Sequence, residues 1–107
     1  MYEEMQSKRL PDRTDVRWFH SATVTDATSA PLIVPAVDRP VAVTVTPGAS
    51  ARVEYTLSDY AAVDAGTATW LPWSAGDVSE PTGDSAVGAI TALRLVSTGA
   101  STWEVTL

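Results

Sequence analysis

Valine and threonine alternate through PVAVTVTP, residues 40–47, so that Val41, Val43 and Val45 point one way and Ala42, Thr44 and Thr46 the other. A period of two belongs to a strand with one buried face, and the flanking prolines bound it. After a turn at Gly48-Ala49 the pattern returns in RVEYTL, residues 52–57. There Val53, Tyr55 and Leu57 read as inward and Arg52, Glu54 and Thr56 as outward, which predicts a hairpin of these two strands. The chain closes on a third alternation, TWEVTL, with Trp103, Val105 and Leu107 on one face.

Weaker patterns lie between these. Ala22–Thr25 and Leu32–Val34 are short extended candidates separated by the polar DATSAP. TATWLPW (67–73) reads as a strand interrupted by Pro72, hence an edge, a bulge or a strand end, because proline lacks a ladder donor. AITALRLV (89–96) places Leu93 and Leu95 inward and exposes Arg94. SDYAAVDAG (58–66) admits one or two helical turns, capped by Ser58 or Asp59 and stopped at Gly66, or equally a turn across the end of a sheet. SAGDVSEPTGDSAVG (74–88) reads as a long exposed loop. Six or seven short strands with almost no helical period predict an all-β antiparallel sandwich or a small barrel; a compact antiparallel β-sandwich is favoured, jelly-roll-like or immunoglobulin-like, with the strand order open. A doubly wound parallel sheet would need crossover helices that the chain lacks.

Composition agrees. Threonine and valine supply 27 of the 107 residues, and stiff β-branched side chains favour the pleated surface. One domain is expected at this length, with a thin core. The absence of cysteine excludes a disulfide framework, a thiolate nucleophile and Cys-ligated metal. No apolar run approaches a membrane span, and the charged start MYEEMQSKRLPDRTDVRWF has no apolar core of a signal peptide, so a soluble chain without a leader is expected.

The net charge of −6 is unevenly distributed. Residues 1–20 balance Lys8, Arg9, Arg13 and Arg17 against Glu3, Glu4, Asp12 and Asp15, whereas 21–107 set Arg39, Arg52 and Arg94 against nine acids. The acidic body disfavours direct nucleic-acid binding and anionic membrane. This change of composition divides the chain into an N-terminal arm, 1–20, and a single β-sandwich domain, 21–107. The arm's apolar anchors, Leu10, Val16, Trp18 and Phe19, sit among alternating charges. Two readings of it stay open. In one, the arm orders on a neighbouring protein, with Leu10, Arg13, Arg17, Trp18 and Phe19 as the interface; removing residues 1–19 then leaves the body folded but without its partner. In the other, residues 12–19 are simply the first strand.

Candidate chemistry is sparse. His20 is the only histidine, and Ser21 beside it makes no triad without an orienting acid. Asp77, Glu80 and Asp84 share one segment but lack the order of an EF-hand loop, and no phosphate-binding glycine motif occurs. No cofactor is implied, and a non-enzymatic protein is expected. The aromatic residues carry the one excess, four Trp and three Tyr against a single Phe. Trp70 and Trp73 face opposite sides of an undisturbed strand, but a bend at Pro72 would bring them onto one rim. With Tyr60 they form a candidate aromatic platform for a glycan.

From about Val41 onward the chain resembles small all-β structural proteins of tailed bacteriophages. The resemblance is carried by PVAVTVTPGASARVEYTLSD, then AAVDAGTATWLPWSAGDVSEPTGD, then AVGAITALRLVSTGASTWEVTL. It implies a virion protein, a capsid decoration or cement subunit or a head–tail accessory. The implied partners are the major capsid protein or other virion proteins, and the implied state is a homo-oligomer, with a trimer favoured. A carbohydrate- or receptor-binding module of a tail or adsorption apparatus is the alternative.

Overall fold

The computed structural model of the chain describes residues 2–9, 16–35, 40–86 and 90–107. Among these residues ten strands form in chain order: β1 (Glu3–Glu4), β2 (Gln6–Arg9), β3 (Val16–Thr25), β4 (Leu32–Ile33), β5 (Val41–Thr46), β6 (Ser50–Thr56), β7 (Leu71–Pro72), β8 (Thr82–Ala86), β9 (Ala92–Thr98) and β10 (Ala100–Thr106). One short helix, α1 (Tyr60–Ala65), lies between β6 and β7. The strands make two five-stranded sheets, β1-β4-β9-β6-β7 and β2-β3-β10-β5-β8. All pairings are antiparallel except the two-residue contact of β1 with β4. The result is a small all-β domain of two packed sheets.

Alternation sets the core. Val41, Val43 and Val45 of β5, Trp103 and Val105 of β10, and Leu93 and Leu95 of β9 are buried between the sheets together with Leu32, Val53 and Leu107. The faces read for 40–47 and 102–107 are those observed in β5 and β10, and in the weaker segment Leu93 and Leu95 of β9 point inward as read, with Arg94 half-buried rather than exposed.

The predicted hairpin of 40–47 with 52–57 does not form. β5 pairs with β10 and β8, whereas β6 pairs with β9 and β7 in the opposite sheet. The turn at Gly48-Ala49 is an arch that carries the chain across the sandwich. The physical reason lies in a second arch, at Thr98–Ala100, stacked on the first. Ala49 N–H donates to Thr98 O (2.9 Å), and Gly48 N–H donates to Ser101 Oγ (3.0 Å). A Cβ on Gly48 would lie 2.6 Å from Ala100 O, and one on Gly99 would lie 2.8 Å from Ala49 N. Gly99 also holds φ at +78°, which favours glycine. Two alternating strands joined by a short turn are compatible with either a hairpin or an arch; the long-range arch-to-arch contact selects the arch.

β6 also departs from its pattern at one end. Glu54 and Thr56, read as outward, are buried, and Leu57, read as inward, is exposed. Thr56 Oγ1 accepts the Ser58 N–H (3.1 Å), and Glu54 is held by Arg52 and by Arg94 under the Trp70 ring, while Leu57 falls beyond the last strand residue. The helix itself follows its sequence signals: the Asp59 carboxylate accepts the Ala62 N–H (2.9 Å), and Gly66 ends it at φ +77°. Residues 82–86, expected within a loop, form edge strand β8 because β5 offers them a free ladder that composition does not reveal. Of 67–73, only Leu71–Pro72 is strand, and it lies at an edge.

The composition change at residue 20 falls inside β3, which runs unbroken from Val16 to Thr25 along β10. Ahead of it the chain laces both sheets: Glu3–Glu4 pair with β4, Met5 is buried in the core, and Gln6–Arg9 pair with β3.

Candidate functional site

Of the predicted interface residues, Leu10 and Arg13 lie outside the described residues. Arg17, Trp18 and Phe19 lie on β3 and part by strand parity. Arg17 and Phe19 are exposed on the outer face of the second sheet, whereas Trp18 is half-buried against the core, its backbone exchanging two 3.1 Å hydrogen bonds with Leu107. The outer face they border is broad and built of short side chains. Ser21, Thr23 and Thr25 of β3, Ala42, Thr44 and Thr46 of β5, and Gly83 and Ser85 of β8 are exposed there, beside Thr102 and Thr106 of β10. Thr23 and Thr102 hydroxyls meet across the strands at 3.0 Å. Glu104 is the acid of this face among the described residues, and Arg17 marks one corner.

The three platform aromatics are not brought together. Trp73 is buried, and its indole N–H donates to Gly76 O (2.6 Å). Trp70 stands on the opposite side, over the outer face of the first sheet, its ring 4.4 Å from the Arg94 guanidinium carbon. Such stacking is favourable through the ring quadrupole. Tyr60 is exposed at the start of α1 and meets Tyr2 edge to face at 5.2 Å. A hydrogen bond with Tyr2 pushes the Tyr60 phenol up to about 12, with desolvation and the acids Asp64 and Glu4 adding to the shift.

Beneath Trp70 lies a charge cluster. Arg94 Nε and Nη2 donate to Glu54 Oε1 (2.7 and 2.6 Å), Arg52 Nε donates to Glu54 Oε2 (2.9 Å), and Arg52 Nη1 reaches Asp77 Oδ1 (3.3 Å). Burial by itself would raise the Glu54 carboxyl, but hydrogen bonds from Arg52 and Arg94 outweigh it and hold the group below the usual carboxylate range. Asp84 is also held low, by a short hydrogen bond from Ser74 Oγ and by the Ser85 N–H. Asp77, Glu80 and Asp84 are thus spread out: Asp77 pairs with Arg52, Asp84 with Ser74, and the Glu80 carbonyl accepts from Thr82 Oγ1. Among the described residues no three His, Asp or Glu side chains converge on a point where a metal would sit.

His20 is half-buried on the inner side of β3, edge-on to Trp103 at 5.8 Å. Burial lowers its pKa, with the Glu3 charge opposing. Ser21, its neighbour on the strand, points to the other face, so the two do not form a catalytic pair. Two cavities open between the sheets. One, of about 300 Å³, is walled by Val43, Val53, Tyr55 and Trp73 with Ser74 and Asp84 at its polar side. The other, of about 290 Å³, lies under β3, with Glu3, His20, Ser29 and Trp103 among the residues that line it beside Ala22 and Val24. The Trp103 indole nitrogen is buried without a hydrogen-bond partner among the described residues.

Comparison of the chain with protein-family models, with curated proteins and with solved structures found no match in any of the three. Sequence reasoning passed over two features. The HSATVT segment (20–25) carries no charge, proline or glycine, but its lying at a sheet edge is a property of topology. The burial of Glu54 was hidden by its place at an outward position of an alternating strand; its flanking arginine two residues before was the available signal.

Proposed function

We propose that this chain is a non-enzymatic structural protein of a bacteriophage particle, a decoration or cement subunit that binds neighbouring virion proteins and acts in many copies. Strand order is the observation that carries the reading. Leaving aside β1 and β2, the sheets run β3-β10-β5-β8 and β4-β9-β6-β7. Successive strands cross between sheets everywhere except β6 to β7, and this order supports a jelly-roll reading. An immunoglobulin-like sandwich would keep more sequential strands as neighbours. Jelly rolls serve as capsid and lectin domains, so the order supports a shell or recognition role by analogy of fold. The outer face of the second sheet favours the shell role, because flat, short hydroxyl-bearing side chains cost little entropy to immobilise against another protein. The exposed Arg17 and Phe19 supply a charge and an aromatic anchor at its corner, and interfaces are enriched in both residue types.

The test is genetic and structural. Phage particles assembled without this chain are expected to lose their genome at a lower temperature than intact ones, and the purified chain is expected to restore them and to appear on the shell by cryo-electron microscopy. Particles of equal stability that never contained the chain overturn the reading.

A glycan-binding reading rests on a different observation, the cavity beside Trp73 with Ser74 and Asp84 at its polar side. It requires a change in tryptophan emission on adding oligosaccharides, lost in Asp84→Ala; an unchanged spectrum across a glycan panel removes it.

A further inference from the structure

Among the described residues, four of the five sheet edges are guarded in the ways that stop strands from pairing with other chains. β1 is two residues long and both are Glu; β7 is two residues long and ends in Pro72; β8 carries Gly83 and Asp84 and follows Pro81; β2 carries Lys8 and Arg9. The fifth edge is part of β3. β2 covers only Val16–Phe19, so that residues 20–25 form the rim of the second sheet. Their sequence, HSATVT, holds none of those devices.

Backbone direction along this rim follows from its inner partner. Trp18 and Leu107 exchange two hydrogen bonds, and Asp26 N–H donates to Gly99 O (3.1 Å), so even-numbered residues aim their backbone groups at β10. Odd-numbered residues aim theirs the other way. Gln6 and Lys8 of β2 stand opposite Phe19 and Arg17. Ser21, Thr23 and Thr25 have no backbone partner on that side among the described residues.

The geometry points to residues 21–25 as the contact through which two copies of this chain pair, antiparallel, about a twofold axis at Thr23. Three features fit the segment to itself. Its length is bounded on both sides, by the end of β2 at Gln6 and by Asp26, whose φ of +48° bends the chain away toward the first sheet. In the register that sets Thr23 against Thr23 of the second copy, Ser21 meets Thr25, and these are the residues whose N–H and C=O groups point outward, so each pair exchanges two hydrogen bonds. The inner side chains of the incoming strand, Ala22 and Val24, are small and apolar and point over the cavity of about 290 Å³ that Ala22, Val24 and Ala30 of the first copy already line. On the outer face the row Thr46–Thr102–Thr23 continues into the same row of the second copy. The segment itself carries no charge, although each chain is acidic and Glu3 also lines that cavity. Such an interface is isologous and closes at two copies; a threefold assembly would have to use another surface.

This inference is separable from the virion reading, since it concerns the purified chain alone. Sedimentation equilibrium of the full chain is expected to give a monomer–dimer equilibrium. Thr23→Lys, which places a guard on the edge, and Thr23→Pro, which removes an outward N–H but no donor to β10, are expected to weaken it at least roughly tenfold with far-UV circular dichroism unchanged. Should the proline variant fail to fold, the lysine variant decides. Because the chain has no cysteine, Thr23→Cys gives a clean trap: hydrogen-bonded antiparallel residues sit about 5.5 Å apart at Cα, within disulfide reach. Oxidation is expected to link Thr23→Cys dimers and to leave Thr46→Cys, in the same row but away from the edge, unlinked. A chain that stays monomeric at every concentration overturns the proposal. So does a dimer indifferent to Thr23→Lys, or one that Thr46→Cys traps equally well.

Discussion

Glu54 occupies a position that alternation assigns to solvent, yet it is among the buried polar residues, and two arginines keep it ionised there. Its carboxyl is more acidic folded than unfolded, so the folded chain binds fewer protons in the range where it titrates. The stabilisation is therefore present above the ordinary glutamate pKa of about 4.3 and is lost as pH falls through the depressed folded value. Glu54→Gln is expected to cost roughly 1–3 kcal/mol at pH 7, the scale of hydrogen bonds to a charged group, and to cost little in strong acid. His20, held neutral by burial, adds its own acid-side loss below about pH 6.5 in both proteins, so the quantity to measure is the difference in urea midpoint between wild type and variant from pH 7 to pH 2. A constant difference across that range would contradict the ion-pair account. Trp70 illustrates the same lesson about residues: one face of an aromatic excess was legible, but its ring is occupied by Arg94 rather than open as a platform.

At the scale of elements, the stacked arches decide which strands are neighbours. Ser97 and Ser101 are buried at this corner, with Ser97 Oγ 2.9 Å from Val24 O, 2.8 Å from Gly99 O and 2.8 Å from Ser101 Oγ. Asp26 joins them, its Oδ1 accepting the Gly99 N–H at 2.7 Å. Three crossings between the sheets thus meet in one hydrogen-bonded knot. Gly48→Ala and Gly99→Ala each force a methyl group into the opposing backbone, and each is expected to cost roughly 1–3 kcal/mol, with Gly99 the worse for its left-handed φ. Gly83→Ala is the control. Its Cβ would meet nothing closer than 3.8 Å, so it is expected to be neutral or stabilising by a few tenths of a kcal/mol. Chemical denaturation of the three variants distinguishes a packed arch from a tolerant turn; equal midpoints for all three would rule the packed arch out.

For the whole molecule, the N-terminal segment is a lace across one side of the sandwich. Met5 is 5% exposed and sits in the core between a strand in each sheet. Met5→Ala is expected to cost about 2–4 kcal/mol, and deletion of residues 1–9 more, with a lower denaturant midpoint and faster proteolysis of the remainder. Deletion through residue 19 takes the Trp18–Leu107 pair as well, so the body is not expected to survive that truncation intact. A truncated chain as stable as the full one would return the arm to a role outside the fold.

The strand faces of β5 and β10, the inward leucines of β9, the cap signals of the helix and the all-β class were legible from sequence because each depends on local periodicity and on residues a few positions apart. The identity of each strand's neighbour was not. Pairing in this fold is set by contacts between residues tens of positions apart, such as Ala49 with Thr98 and Asp26 with Gly99, and a two-residue turn looks the same locally whether it makes a hairpin or an arch. Edge position follows from pairing, so the rim at Ser21–Thr25, without a strand partner among the described residues, belongs to the tertiary structure as well. The sequence by itself determined which residues seek the interior; only the tertiary structure decided which of the exposed ones were left with backbone to share.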